Sequence, residues 1–184
     1  MNLKNIVLIL SAITTGLIAG LFFGYQVSVI PAFKTLSDAN YIAAMQAINV
    51  TIPQDPFFEF NFLGAAIFLP VAAYLHRSTP GSRLFPLLVV ATILYIVGTL
   101  GVTMVANVPL NDTLAAFSLH SSTPQQAAIA RVAFEDPWNT WNLIRTLASI
   151  GALVLVIVAS LSVSTRPIQA HLSEKTMAKR KENW

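Results

Sequence analysis

Apolar positions along the chain gather into four long blocks, separated by two long polar connections and one short one. The first block, Asn5 to Phe33, carries no charge between Lys4 and Lys34. It exceeds the roughly 20 residues a helix needs to cross a bilayer. It should therefore tilt, bend or project beyond the lipid, with Pro31 ending or kinking it. It is also too long for the apolar core of a signal peptide and is read as a retained span. The second block is Phe57 to His76, "FFEFNFLGAAIFLPVAAYLH", with Glu59 and Asn61 in its first turns and Pro70 inside it. The third runs from Leu84 to Ala106, and Pro86 falls in its first turn, where proline is tolerated. The fourth apolar block lies between Arg145 and Arg166, on a span placed at about residues 142–165, in a helix expected to be capped by Asp136 and started by Pro137.

This pattern predicts an all-α fold: a polytopic membrane four-helix bundle in one transmembrane domain over residues 1–184, with a basic tail over 166–184. The long connections, about 23 and 30 residues, are the length at which loops carry structure or function of their own. In "SDANYIAAMQAIN", Ser37 or Asp38 can cap a short helix. Tyr41, Ala44, Met45 and Ile48 then form its apolar stripe. "STPQQAAIARVAFE" predicts a second helix, with a Ser/Thr cap and Pro124 at its first position. The short connection, "RSTPGSR", reads as a tight turn.

Composition agrees with a membrane protein: 55% of the 184 residues are hydrophobic and only 10% charged, against about 25% charged in an average soluble domain. The pI near 9.5 does not point to nucleic acid, because the basic residues flank apolar blocks and collect in the tail. Lys4, Arg77, Arg83, Arg166, Lys175, Lys179, Arg180 and Lys181 fall on one side, and Lys34, Arg131 and Arg145 on the other. The richer side is expected to be cytoplasmic. Both termini are then inside, and a multi-pass protein of the cell membrane, of the bacterial inner-membrane kind, is expected. With no cysteine, disulfides, thiolate metal sites and a thiol nucleophile are ruled out.

Polar residues inside spans tend to face a bundle interior or cavity, and here they concentrate at one level. In "DPWNTWNLIRTLAS", Trp138, Asn142, Arg145 and Ser149 share one helical face, with Trp141 beside them. Arg145 lies about 12 Å along the helix from Pro137, at about 1.5 Å per residue. Tyr25 and Gln26 on the first span, Glu59 and Asn61 on the second, Asn107 and Asn111 past the third, and Gln46 and Asn49 on the short loop helix should meet it there. The expected product is a polar-lined, outer-leaflet pocket lidded by the loop helices. Glu59 is the candidate ion-pair partner of Arg145. The three histidines, His76, His120 and His171, do not share a helix at ligand spacing, so no metal site is expected.

At these residues the chain resembles a family of four-helix membrane proteins that includes the anthrone oxygenases. The resemblance rests on "GLFFGYQVSVIPAF", "YIAAMQAIN", "GVTMVANVPLND" and "WNTWNLIRTLAS", in that order. Many members carry histidine where this chain has Leu143. The resemblance implies an oxygenase or related oxidoreductase, working without cofactor on a lipophilic aromatic or quinone-like substrate. In that reading Arg145 and Asn142 stabilise a developing oxyanion and Trp138 and Trp141 stack on rings. Asn107, Asn111, Gln46, Asn49, Gln26 and Tyr25 line or orient the substrate. Chemistry, rather than the family motif, nominates Glu59 as general base, its pKa raised by burial. The alternative is a non-enzymatic accessory or binding subunit, in which the polar cluster glues helices and the partner is another membrane protein or a second copy of the chain.

Overall fold

A computed structural model describes residues 2–78 and 83–164; most of the "RSTPGSR" turn and the whole basic tail lie outside the described residues. Four helices are long and apolar enough to cross a membrane: α1 (Leu3–Phe33), α3 (Pro56–His76), α4 (Leu84–Ala115) and α5 (Pro124–Ser164). A fifth, α2 (Asp38–Thr51), lies in the first long connection. No strand occurs among the described residues. This is a multi-pass membrane bundle.

The spans form a ring in chain order. α1 packs on α3 and α5, α4 packs on α3 and α5, and neither diagonal pair makes substantial contact. The ring interior is apolar through most of its depth, with Ile18, Leu69, Leu88, Tyr95 and Val156 fully buried. The outward surface is apolar too: Leu17, Ile67, Val97, Leu147 and Leu161 are all exposed, as suits lipid rather than water.

Local chemistry sets where the helices start. Asn2 accepts the Asn5 N–H at 3.0 Å to cap α1, and Ser37 accepts the Asn40 N–H to cap α2. Asp55 accepts the Phe58 N–H at 2.7 Å to cap α3. Thr123 and Gln126 exchange hydrogen bonds, Thr123 N–H to Gln126 Oε1 and Gln126 N–H to Thr123 Oγ1. This reciprocal capping box starts α5.

The start of the last span corrects the sequence expectation. Asp136 does not cap and Pro137 does not begin a helix; both lie inside α5, which runs unbroken for 41 residues from Pro124. The loop helix and the span are in register, so the chain keeps both and forgoes the one backbone hydrogen bond that Pro137 cannot donate. At about 1.5 Å per residue, α5 is about 60 Å long, twice the roughly 30 Å hydrocarbon layer. Its first part therefore stands beyond the bundle, at the end that also carries α2, here called the cap end. The third span is likewise longer than expected, reaching Ala115 rather than Ala106.

Both α1 and α4 widen into π-helical turns near the cap end. The Ile30 N–H donates to the Tyr25 carbonyl and the Val108 N–H to the Thr103 carbonyl, each five residues back. Each turn stands just before a proline, Pro31 or Pro109. A proline ring clashes with the carbonyl four residues earlier; a widened turn moves that carbonyl aside and frees α1 to continue past Pro31 to Phe33. A longer π-helical stretch, Leu94–Gly101, lies deeper in α4.

α2 closes the cap end. Its stripe buries Tyr41 and Met45 as expected, and Ile42 with them, against Leu114, Ala127, Phe134 and Trp138. Arg131 fastens this layer. It donates to Glu135 at 2.6 Å, Asp38 at 3.1 Å and the Leu36 carbonyl at 2.8 Å, and lies 4.5 Å from the centre of the Tyr41 ring. Burial, reinforced by the Glu135 carboxylate, holds the Tyr41 phenol above its ordinary range, so this ring stays neutral beneath the guanidinium. Replacing Arg131 by Ala should cost about 2–4 kcal/mol, since one hydrogen bond to a charged group already contributes about 1.5–3 kcal/mol, and loosen α2 from α5. Limited proteolysis should then cut the Lys34–Asp55 region several-fold faster, with cleavage within the spans unchanged.

Candidate functional site

A cavity of about 330 Å³ lies at the cap end of the ring, under α2. Its walls are mainly apolar and aromatic, with contributions from Phe22, Ile48, Phe58, Phe62, Met104 and Trp138. Among the expected site residues, Tyr25, Asn49, Glu59, Asn111, Trp138, Asn142 and Arg145 line it. All four spans and α2 therefore bring polar groups to one space.

Arg145 is the centre of this space. It is 6% exposed. Its Nη1 donates to Thr103 Oγ1 at 3.2 Å and its Nη2 to Asn142 Oδ1 at 3.1 Å. Its guanidinium carbon lies 4.4 Å from the Phe22 ring centre and 5.4 Å from that of Trp138. Among the described residues its Nε has no hydrogen-bond partner, and no carboxylate pairs with it. A buried cation without a counter-charge is costly, and it favours any ligand that brings a negatively charged or strongly polarised oxygen.

The supporting contacts fix where this guanidinium points. Asn142 is held at both ends of its amide, since its Oδ1 accepts from Arg145 while its Nδ2 donates to Gln26 Oε1 at 3.1 Å. Trp138 donates from Nε1 to Asn111 Oδ1 at 2.9 Å, and its ring stacks on Phe134 with centres 6.1 Å apart. The Asn49 Nδ2 is buried without a partner among the described residues, which leaves it a donor to spend on a ligand.

Several expected roles are corrected. Glu59 lies on the cavity wall but is exposed and forms no ion pair with Arg145, so neither the pairing nor the burial proposed from sequence holds. The first turn of α3 places Glu59 at an exposed edge of the cavity. Gln46 is not among the lining residues; both of its hydrogen bonds go from Nε2 to the carbonyls of Leu114 and Phe117, at 2.8 and 2.9 Å, and satisfy the end of α4. Asn107 is fully buried outside the lining, donating at 3.4 Å to the Trp138 carbonyl. Gln26 acts behind Asn142 rather than on the wall. Trp141 is 37% exposed and faces away from the cavity. Leu143 is exposed and also off the wall. Thr103, the acceptor for Arg145, went unnoticed in the sequence. Among the described residues no group of His, Asp and Glu could hold a metal ion.

Fold and site together define a multi-pass membrane bundle with a cap-end cavity built around an arginine. Residues 57–155 match the family model described as anthrone oxygenase. The match covers more than half of the chain, which belongs to the anthrone oxygenase family. The matched region holds Thr103, Asn107, Asn111, Trp138, Asn142 and Arg145, while Tyr25 and the α2 motif precede it. No curated protein and no solved structure matches the chain.

Proposed function

We propose that the chain is an oxygenase, or a related oxidoreductase, that oxidises a lipophilic aromatic or quinone-like ketone of the anthrone type in the cap-end cavity. The observation that carries this reading is the buried Arg145 guanidinium without a carboxylate partner, set in an aromatic cavity. A C–H next to a ring carbonyl is acidic because its loss yields an enolate. Arg145, held by Asn142 and Thr103, is placed to stabilise that oxyanion, and Asn49 supplies a further donor. Trp138, Phe22 and Phe58 provide ring surface. Glu59, at the mouth, takes the proton. The enolate then reduces O2 and forms a C–O bond, giving a hydroperoxide after proton return. Loss of water from this intermediate leaves a new carbonyl, so one oxygen atom enters the product and the other leaves as water. The cap end faces away from the cytoplasm of a bacterial inner membrane in this proposal, following the distribution of Lys and Arg.

The test is oxygen uptake by the protein in liposomes loaded with anthrone. Anthraquinone should form with one O2 consumed per anthrone, and ¹⁸O2 should label one product oxygen. Glu59→Gln should lower the rate by about 100-fold, the usual scale for a general base; an unchanged rate would remove Glu59 from the mechanism. An accessory subunit would give a different picture: no uptake, and a stoichiometric protein partner with an empty cavity in native mass spectrometry.

A further inference from the structure

The α3–α4 seam does not stay closed along its length. At the cavity floor, which Phe62 lines, Tyr95 of α4 donates its hydroxyl to the Phe62 carbonyl of α3 at 2.9 Å, and the two rings lie 6.4 Å apart. Towards the cap end, the Thr103–Asn107 turn stays packed on α5 and makes no substantial contact with α3. The cavity fills the resulting gap. Two of its lining residues flank that gap, Leu63 on α3 and Met104 on α4, and they are 51% and 58% exposed. A residue that both lines a cavity and faces outward stands at an opening. Phe60 and Ile67 on α3 and Val105 on α4 are also exposed, so the surface around the gap is apolar. Leu63 lies about 10 Å along α3 from its first residue at about 1.5 Å per residue, within the hydrocarbon layer that this 21-residue helix is long enough to span.

We propose that this gap is a lateral portal through which lipophilic ligands enter the cavity from the bilayer rather than from water. Leu63 and Met104 are its jambs. The cavity has a second exposed edge at Pro53 and Glu59, near the start of α3. That edge admits water and protons, while the aromatic ligand arrives sideways. Such a division suits a substrate that partitions into lipid and a base that exchanges protons with solvent. The portal rests on the reading of the cavity as a ligand site, and its test separates the two.

The chain has no cysteine, so single cysteines can report on each opening in liposomes. Met104→Cys should react with a bilayer-partitioned pyrenyl maleimide at least tenfold faster than with a charged, water-soluble methanethiosulfonate. Pro53→Cys should show the reverse preference. Equal reaction of Met104→Cys and Pro53→Cys with the charged reagent would overturn the portal. In a second measurement, Leu63→Trp combined with Met104→Trp should slow anthrone uptake from liposomes at least tenfold. Uptake at the original rate would also overturn it. If the unaltered protein binds no anthrone at all, the ligand reading fails, whereas the cysteine pair still decides whether the gap faces lipid.

Discussion

Arg145→Ala should reduce anthrone turnover by about 100- to 1,000-fold, the usual effect of removing one oxyanion donor, while leaving the bundle folded. The two halves of this expectation come from the same geometry. Arg145 makes hydrogen bonds to Thr103 and Asn142 and lies over the Phe22 ring; losing these contacts is unfavourable. Its charge, however, is buried without a carboxylate partner among the described residues, and removing it recovers a desolvation cost of comparable size. Arg145→Met is the sharper version, because it keeps much of the apolar stem and packing while removing the charge. Its thermal midpoint should equal or exceed that of the unaltered protein, with turnover still lost. Arg145→Lys should fall between, since it keeps the charge but not the planar fork that reaches Thr103 and Asn142 together. An arginine acting as helix glue would behave oppositely. Arg145→Met would then melt several degrees lower or release a partner chain, and the assignment of this residue to catalysis would be wrong.

Much of this fold was legible because lipid imposes a simple rule. A block of about 20 apolar residues has few alternatives to a spanning helix, and all four blocks became spans. The errors came where prolines were read as boundaries. Pro137 lies mid-helix, because the segment from Thr123 already has its own cap and enters the span in phase. Pro31 and Pro109 are accommodated by widened turns, and these matter for the site. A π turn adds a residue to one turn and shifts everything beyond it around the helix. Regular helical spacing therefore could not tell that Thr103 would face Arg145 while Asn107 would be buried outside the cavity. The "VIP" and "NVP" sequences carried that signal. On α5, which has no such turn, the spacing of Trp138, Asn142 and Arg145 did predict one shared face. Exposure misled in the other direction. Glu59 and Trp141 have the right chemistry at the right height, but the cavity is closed on one side by α2 and left open on another, which no periodicity reveals.

The site also depends on how closely α4 can approach α5, since Thr103 and Arg145 stand on these two helices. One glycine sets that distance. A Cβ built on Gly98 would lie 2.6 Å from the Ala148 Cβ, far inside contact, whereas its distance to the Ala148 Cα would be 3.9 Å. Without a hydrophobic drive between helices in lipid, close packing of small residues is a main source of their association. Gly98→Ala should therefore force the helices apart and destabilise the bundle by about 1–3 kcal/mol, the range for overpacking a tight interior, despite the better helix propensity of alanine. Exchanging the pair should reverse this. In Gly98→Ala with Ala148→Gly, the offending methyl group is gone and the propensity gain at one position offsets a loss of about 1 kcal/mol at the other. Thermal unfolding in detergent, followed by circular dichroism, should show the single variant melting well below the unaltered protein and the exchanged pair returning close to it. Turnover should follow the same order, because widening the α4–α5 seam moves Thr103 away from the guanidinium it holds. A Gly98→Ala variant as stable as the unaltered protein, or a double variant no better than the single, would mean that this contact does not set the helix spacing.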